Sequence, residues 1–216
     1  MNKRLLIVIC LLALIPLAAV ALLYGSLPEQ IPTQWNINGS VTYSARSTIF
    51  LIAGLSPVMA VLLLVLPRVD PRKKNYEKFR SYYDAFIVVL LLFLLVMDGI
   101  ILSESLQPGR ISVSRVVVLG VGLLFVFLGN ILPRIKNNFF MGLRTPWTLS
   151  DPDVWNRAHR LGGKLFFWFG LAIALSGLLL PEAVTFVLVM ICVATVSGIP
   201  AVMSYVWYRR KQRDQS

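Results

Sequence analysis

The sequence predicts an all-α, polytopic membrane protein with six transmembrane helices and both termini in the cytoplasm. The chain of 216 residues is 57% hydrophobic and only 14% charged, whereas ordinary soluble domains carry about 25% charged residues. Its apolar residues form six long blocks, and its basic residues cluster between them. These features favour a single membrane domain over residues 1–216 and argue against an ordinary soluble fold.

Each apolar block is long enough for a transmembrane helix, which needs about 20 apolar residues to cross the hydrocarbon core. The first block is longer than the apolar region of a typical secretory signal peptide, so we expect an uncleaved first span. The fifth ends at Pro181 and Glu182, which predicts a tight hairpin with the sixth. The predicted spans cover residues 5–24, 47–67, 84–103, 114–133, 164–181 and 183–207.

The distribution of Lys and Arg predicts the orientation of the chain. Of the 21 basic residues, all but Arg46, Arg110 and Arg115 lie at the two termini, between spans two and three, or between spans four and five. Cytoplasmic loops of membrane proteins carry an excess of Lys and Arg. We therefore expect these regions in the cytoplasm. The net charge of +11 then reflects membrane topology, and no direct nucleic-acid binding is predicted.

The predicted external loop, residues 25–46, is rich in residues that favour extended or turn backbone. Its prolines disfavour helix in the residues before them, and Asn38 with Gly39 forms a turn signal. Trp35 suits the membrane–water interface. The loop is therefore either a rigid re-entry loop with an interfacial Trp or a surface for an extracellular peptide.

The second notable loop, residues 134–163, is predicted to be cytoplasmic. Ser150 or Asp151 is well placed to cap a following helix, because short polar side chains accept hydrogen bonds from the first backbone N–H groups. We expect that helix to be short and amphipathic and to lie at the inner membrane surface. We expect it to end at Gly162 and Gly163, before span five.

Several polar residues of this loop leave alternatives open. Arg144 and Arg157 could hold lipid phosphates, cap helix ends or bind the carboxylates of a partner. His159 is the single histidine and lacks Cys or His companions at ligand spacing, so we expect packing or hydrogen bonding, with no metal and no cofactor. Cys10 and Cys192 lie inside apolar blocks and are expected to be reduced packing residues.

A carboxylate inside a span is costly, so it usually faces the helix bundle and finds a partner. Asp98 lies in the predicted third span, and Arg115 lies near the start of the fourth. Both are expected toward the outer leaflet. We therefore expect their side chains to come close, directly or through water.

No catalytic site is predicted. The chain has one histidine and lacks the Gly-x-Ser-x-Gly, His-Glu-x-x-His and phosphate-loop motifs. Asp84 and Asp98 lie on one predicted helix, about 21 Å apart along its axis, which is too far for an aspartyl protease dyad. A small transporter is harder to exclude, although few charged residues could line a path.

Motifs across most of the chain carry a family resemblance. The segments concerned are Gly129–Asn130, Asn138–Asp151, Val154–Trp155 and His159–Gly163. They resemble the signature of the SdpI family, bacterial membrane proteins typified by the immunity protein against the Sdp toxin. Residues 27–39 resemble the DUF1648 domain that often precedes it. About 5–70 is then DUF1648-like, and about 114–208 is SdpI-like. Many members carry His where this chain has Gln34 and Thr where it has Ala158, so a metal or proton role of that His would not transfer.

The resemblance implies a multi-pass protein of the bacterial cytoplasmic membrane that confers resistance to a secreted toxin peptide. It further implies a receptor that sequesters a helix-turn-helix autorepressor at the membrane. Membrane lipid is a further expected partner. The external residues that would face the toxin are Glu29, Gln34, Trp35, Asn36 and Gly39. The residues of the cytoplasmic signature loop are Asn130, Asn138, Gly142, Arg144, Thr145, Pro146, Trp147, Trp155, His159 and Arg160. The alternatives are a small membrane transporter and an envelope-homeostasis protein that binds lipid.

Overall fold

The computed structural model describes residues 2–36 and 40–214, and within them six helices are long and apolar enough to cross a membrane. They are α1 (Lys3–Leu23), α2 (Thr48–Val69), α4 (Arg80–Leu106), α5 (Val113–Ile131), α7 (Pro152–Leu179) and α8 (Glu182–Arg213). The shorter elements are β1 (Gln30–Trp35), β2 (Val41–Ala45), α3 (Lys74–Glu77) and α6 (Pro146–Ser150). The predicted six-span, all-α architecture is confirmed.

Large apolar side chains lie on the outside of the long helices. Leu22, Leu51 and Leu179, for example, are 84%, 79% and 75% exposed. Apolar surface on this scale is unfavourable in water and marks contact with a membrane. The chain is therefore a multi-pass membrane protein.

The prediction of a separate amphipathic helix before span five was wrong. Helix α7 begins at Pro152, capped by Asp151, and continues without interruption through Gly162 and Gly163 to Leu179. The predicted surface helix is thus the first part of span five. Glycine inside a helix costs roughly 0.5–1 kcal/mol relative to alanine, and here the close packing that these glycines allow offsets that cost.

Glycines on α5 and α7 allow the two helix backbones to touch. A Cβ added at Gly122 would lie 2.5 Å from the backbone nitrogen of Ala174. One added at Gly163 would lie 2.8 Å from the carbonyl oxygen of Gly129. Such contacts are the means by which small residues bring transmembrane helices together. Gly122 and Gly129 therefore let span four pack closely against α7.

Helices α7 and α8 form the expected tight hairpin. Helix α7 ends at Leu179, and α8 starts at Glu182, after Pro181. The Thr185 hydroxyl donates a hydrogen bond to the Ser176 carbonyl oxygen across 3.1 Å, and both residues are buried. The two helices are therefore fixed to each other at their connection.

The described residues form two compact units, and each is described by itself. The first comprises residues up to 65 together with 84–120, and the second comprises 66–83 together with those from 121 onward. The β-hairpin lies in the first unit, where Ile31 is fully buried in a cluster that also contains Val20 and Leu102. The prediction of a single membrane domain over residues 1–216 stays a prediction.

A buried carboxylate shapes the connection between α4 and α5 in the first unit. Glu104 is 5% exposed, and its two carboxylate oxygens accept hydrogen bonds from the backbone N–H groups of Gly109 and Ile111, each across 2.8 Å. A carboxylate that accepts two backbone N–H groups holds a turn firmly. Sequence analysis did not identify this residue.

Candidate functional site

The signature segment, residues 130–160, folds around the buried side chain of Asn138. Its Oδ1 accepts hydrogen bonds from the backbone N–H groups of Phe140 and Met141, across 2.9 and 2.6 Å. Its Nδ2 donates to the carbonyl oxygens of Lys136 and Met141. Asn138 is fully buried, so these bonds replace those that water would otherwise supply. The predicted site residue Asn138 thus organises the loop from inside.

A second buried polar side chain, Asp70, joins the loop after α2 to the signature segment. Asp70 is 2% exposed and accepts hydrogen bonds from the backbone N–H groups of Arg72 and Phe139, across 2.6 and 2.9 Å. The Tyr76 hydroxyl lies 3.1 Å from Asp70 and 3.2 Å from Asn138. Burial, and then the neighbouring Asp70 carboxylate, raise the pKa of the Tyr76 phenol above its ordinary value. The phenol therefore stays protonated and donates its hydrogen bond.

Arg72 completes this junction between the two loops. Its guanidinium donates hydrogen bonds to Asn137 Oδ1 and, across 3.0 Å, to the carbonyl oxygen of Leu149, and it lies 4.8 Å from the centre of the Phe139 ring. Neither Asp70 nor Arg72 is predicted from the sequence, because their partners in the signature segment are more than sixty residues away. The sequence feature that could have indicated these two residues is an acidic residue followed by a proline inside an otherwise basic loop.

Thr145, Pro146 and Trp147 form the start of α6 and reach α8. Thr145 caps α6 in a reciprocal arrangement with the buried Thr148, and Pro146 occupies the first turn. The Thr145 hydroxyl also lies 2.9 Å from that of Ser204, and the Trp147 ring lies 5.0 Å from Tyr205. These three predicted residues of the signature loop therefore belong to a capped short helix that packs on the last span.

Gly142, Trp155 and His159 form a tightly fitted group. Gly142 has φ +102°, and a Cβ there would overlap His159 Nε2. The Leu143 backbone N–H donates to His159 Nε2 across 3.1 Å, so the proton of the neutral ring lies on Nδ1, which donates to the Trp155 carbonyl oxygen across 2.9 Å. Trp155 Nε1 donates to Ile135. Both ring nitrogens of His159 are thus engaged inside the protein, as the packing interpretation expects.

The remaining predicted residues of the segment lie at the surface. Arg144 is exposed and donates to the Phe139 carbonyl oxygen across 2.6 Å. Asn130 is exposed and donates to the Val126 carbonyl oxygen within its own helix. Arg160 is exposed on α7. The segment therefore has a buried structural part and an exposed part, and only the exposed part is available to a partner.

The first turn of α7 is bound to the end of α8 by charged groups. Lys211 Nζ lies 2.7 Å from an Asp151 carboxylate oxygen and 2.8 Å from one of Asp153. Burial raises the pKa of the Asp151 carboxyl, but hydrogen bonds from Lys211 and from the N–H groups of Val154 and Asp153 outweigh that effect and hold the pKa below its ordinary value. The expected cap at Asp151 is confirmed.

The hairpin, residues 29–46, carries the predicted toxin-facing residues. Glu29 and Gln34 are exposed, and Trp35 and Asn36 are half-buried. Gly39 and the turn signal that it shares with Asn38 lie outside the described residues. The loop was expected to be extended or turned, and it forms two antiparallel strands with a bulge between Pro32 and Gln34.

The outer edge of β2 is open in the sense that no third strand pairs with it among the described residues. Backbone hydrogen bonds join Arg46 to Glu29 and Asn36 to Ser40, each across 2.9 Å. Antiparallel pairs alternate between bonded and non-bonded partners, so Val41, Tyr43 and Ala45 direct their N–H and C=O groups away from β1. Within residues 2–36 and 40–214, the sheet consists of β1 and β2 only. The edge of β2 can therefore accept another extended chain.

The proposed contact of Asp98 with Arg115 is not formed as a direct ion pair among the described residues. Asp98 is 6% exposed, and its carboxylate accepts a hydrogen bond from the Ser56 hydroxyl across 3.4 Å. Arg115 is exposed. The carboxylate thus finds a neutral hydroxyl partner on α2, which lies closer in the bundle than the guanidinium. Contact through water stays a prediction.

Comparison with known proteins finds family matches in the regions of the signature segment and of the hairpin. Residues 134–204 match the model of the SdpI/YfhL protein family, and residues 11–56 match that of DUF1648, a domain of unknown function. The chain is 26% identical over 190 residues to "Immunity protein SdpI" of Bacillus subtilis (strain 168), over 88% of both chains. No solved structure matches the chain. The expected resemblance to the SdpI family is confirmed.

Proposed function

We propose that this chain is an integral membrane immunity protein whose hairpin binds a secreted, membrane-active toxin peptide. The similarity to an immunity protein covers nearly the whole chain and includes the hairpin and the signature segment. The orientation expected from the basic loops places the hairpin outside the cell. A toxin arriving from outside would meet this element at the membrane surface.

The open edge of β2 is the observation that carries this proposal. An exposed edge strand offers alternating N–H and C=O groups, which an extended peptide satisfies by adding a strand. Tyr43 is 51% exposed and would lie beside the bound peptide. The opposite strand is less suited, because Pro32 lacks an N–H and, like Ile31, is buried. Binding at this edge would keep the toxin from inserting into lipid.

A protection assay with variants of Tyr43 tests this function. The chain would be expressed in bacteria killed by Sdp toxin, and survival would be measured at matched protein levels. Tyr43→Pro removes an outward N–H while leaving the hydrogen bonds to β1, so we expect protection to be lost. Tyr43→Val retains the N–H and the preference for strand, so we expect it to protect. Equal protection by both variants would show that the edge of β2 is not used.

On the other side of the membrane, the exposed part of the signature segment is the proposed docking surface for a helix-turn-helix autorepressor. Phe140 and Arg144 are exposed there, beside the buried group that holds the loop in shape. Exposed aromatic and Arg side chains are typical anchors of protein interfaces. We expect a small repressor encoded by a neighbouring gene to be isolated together with the wild-type chain. We expect the Phe140→Ser/Arg144→Gln variant to lose this repressor. Retention in that variant would rule this surface out.

A small transporter is the second candidate, and the buried Asp98 is the observation that favours it. Carboxylates inside spans often mark ion or proton paths. Purified chain in liposomes should then carry an ion flux that disappears in Asp98→Asn, without any toxin present. An immunity protein of the proposed kind would show no such flux.

A further inference from the structure

A polar cleft lies between the first turns of α7 and the last turns of α8. Its volume is about 310 Å³, which is at the lower end of the roughly 300–1,000 Å³ typical of small-molecule sites. Its walls carry Arg157 and Asp153 on α7, Trp207 and Arg210 on α8, and Asp214 directly after α8. Both helices span the membrane, so their ends place the cleft at headgroup depth. None of the functions above uses this cleft.

The charged groups of the cleft differ in whether they are already paired. Lys211 binds Asp151 and Asp153, so its charge and that of Asp153 are largely neutralised. The guanidinium groups of Arg157 and Arg210 make no hydrogen bond or ion pair with the residues that the structure describes. Two unpaired guanidinium groups on facing helices form a ready site for an anion.

Phosphate is the anion that fits this position best. Guanidinium groups bind phosphate oxygens with paired, charge-assisted hydrogen bonds. Basic pockets between transmembrane helices bind lipid headgroups in this way. Trp207 is half-buried in the same wall, and tryptophan favours the depth of the glycerol region.

Asp214 limits the kind of headgroup. It lines the cleft, and no ion pair joins it to another described residue. A headgroup with a second negative charge beside its phosphate, or with no second charge, would leave the Asp214 carboxylate unpaired. A headgroup that carries an ammonium beside its phosphate would pair with it.

We propose that this cleft binds one phospholipid headgroup that carries both a phosphate and an ammonium, with Arg157 and Arg210 on the phosphate and Asp214 on the ammonium. The acyl chains then lie along the apolar outer surface of α7 and α8. Such a lipid would brace the end of the last span against the signature segment.

Native mass spectrometry of the purified full chain in detergent tests this proposal. The probes are phosphatidylethanolamine, phosphatidylglycerol and sodium phosphate. Wild type should retain one phosphatidylethanolamine in preference to phosphatidylglycerol, and sodium phosphate should not displace it. Arg157→Gln/Arg210→Gln should weaken its binding by roughly tenfold or more, because charge-assisted hydrogen bonds are lost. Asp214→Asn should remove the preference between the two lipids.

Lys164→Gln/Arg209→Gln is the matched control. It removes two basic charges from the same helices outside the cleft, so binding should stay as in wild type. Arg157→Lys/Arg210→Lys keeps the charge and should bind with intermediate affinity even if the glutamine variant folds poorly. Equal lipid retention by wild type, the glutamine variant, the lysine variant and the control would overturn the site. Displacement by sodium phosphate, or stronger binding of phosphatidylglycerol, would overturn the assignment of the headgroup.

Discussion

The backbone N–H of Leu143 donates a hydrogen bond to Nε2 of His159 across 3.1 Å, directly beside a glycine with positive φ. This contact explains why the loop before α6 must approach the imidazole so closely. The two residues fix the turn of the signature segment against α7, so the segment is first of all a structural element. Its exposed residues can serve a partner only because this interior holds them in place.

Gly142→Ala is expected to destabilise the chain strongly. The positive φ alone costs a non-glycine residue about 1–3 kcal/mol, and the added Cβ would also overlap His159. Gly109→Ala is a matched control, since Gly109 has φ +79° and nothing within 4 Å of an added Cβ. Thermal unfolding in detergent should show a larger loss for Gly142→Ala. Equal losses in the two variants would mean that His159 does not restrict this position.

Asn138→Ala should lower the free energy of unfolding by about 2–4 kcal/mol, because it removes a fully buried side chain that accepts hydrogen bonds from the Phe140 and Met141 N–H groups and donates two more. Asn156→Ala is the control, since Asn156 is exposed on α7. Denaturant unfolding in detergent measures both. A stability of Asn138→Ala within about 0.5 kcal/mol of the control would contradict the buried role.

Asp70 and Tyr76 should be energetically coupled. Asp70→Ala and Tyr76→Phe each remove the hydrogen bond between the carboxylate and the phenol, so the double variant should lose less stability than the two single variants together. A coupling of about 0.5–3 kcal/mol is expected for contacting groups. Unfolding of wild type, the single variants and the double variant gives this number. Strict additivity would show that the two groups act independently.

The pairing of Asp151 with Lys211 should make stability depend on acid pH. The pKa of Asp151 is lower in the folded chain than its ordinary value, so its contribution is present above the unfolded pKa and is lost as pH falls through the folded pKa. Lys211→Gln should therefore unfold at a lower temperature than wild type at neutral pH, and the difference should shrink as the medium becomes acidic. A difference that grows in acid would contradict this pairing.

The six spans are predictable from the sequence because long apolar blocks are local signals. The predicted start of span five is residue 164, whereas α7 starts at Pro152, because two consecutive glycines favour a helix end and yet Gly162 and Gly163 lie inside this helix. Gly163 packs against the backbone of α5, and Gly162 packs against Leu143, Leu132 and Pro200, and the local sequence does not show these contacts. The same limit explains why Asp70 and the Ser56 partner of Asp98 were missed, as these contacts join segments far apart in the chain.

The hairpin shows a second limit of prediction from the sequence. Prolines and polar residues correctly predict the absence of helix, and the predicted toxin-facing residues rest on the family resemblance. The open edge, however, belongs to β2, at Val41, Tyr43 and Ala45, which none of the motifs includes. Edge character depends on which backbone groups pair with the neighbouring strand, and this is visible only in the register. The orientation that places the hairpin outside the cell stays a prediction.

Hydrogen–deuterium exchange of the full chain in lipid nanodiscs, with and without Sdp toxin, tests the central claim most directly. The toxin should slow exchange of the outward amides of Val41, Tyr43 and Ala45, because a bound strand would accept their hydrogen bonds. The inward amides of Thr42 and Ser44 should change much less, since β1 already pairs with them. Toxin binding that leaves exchange across residues 41–45 unchanged would contradict recognition at the edge of β2.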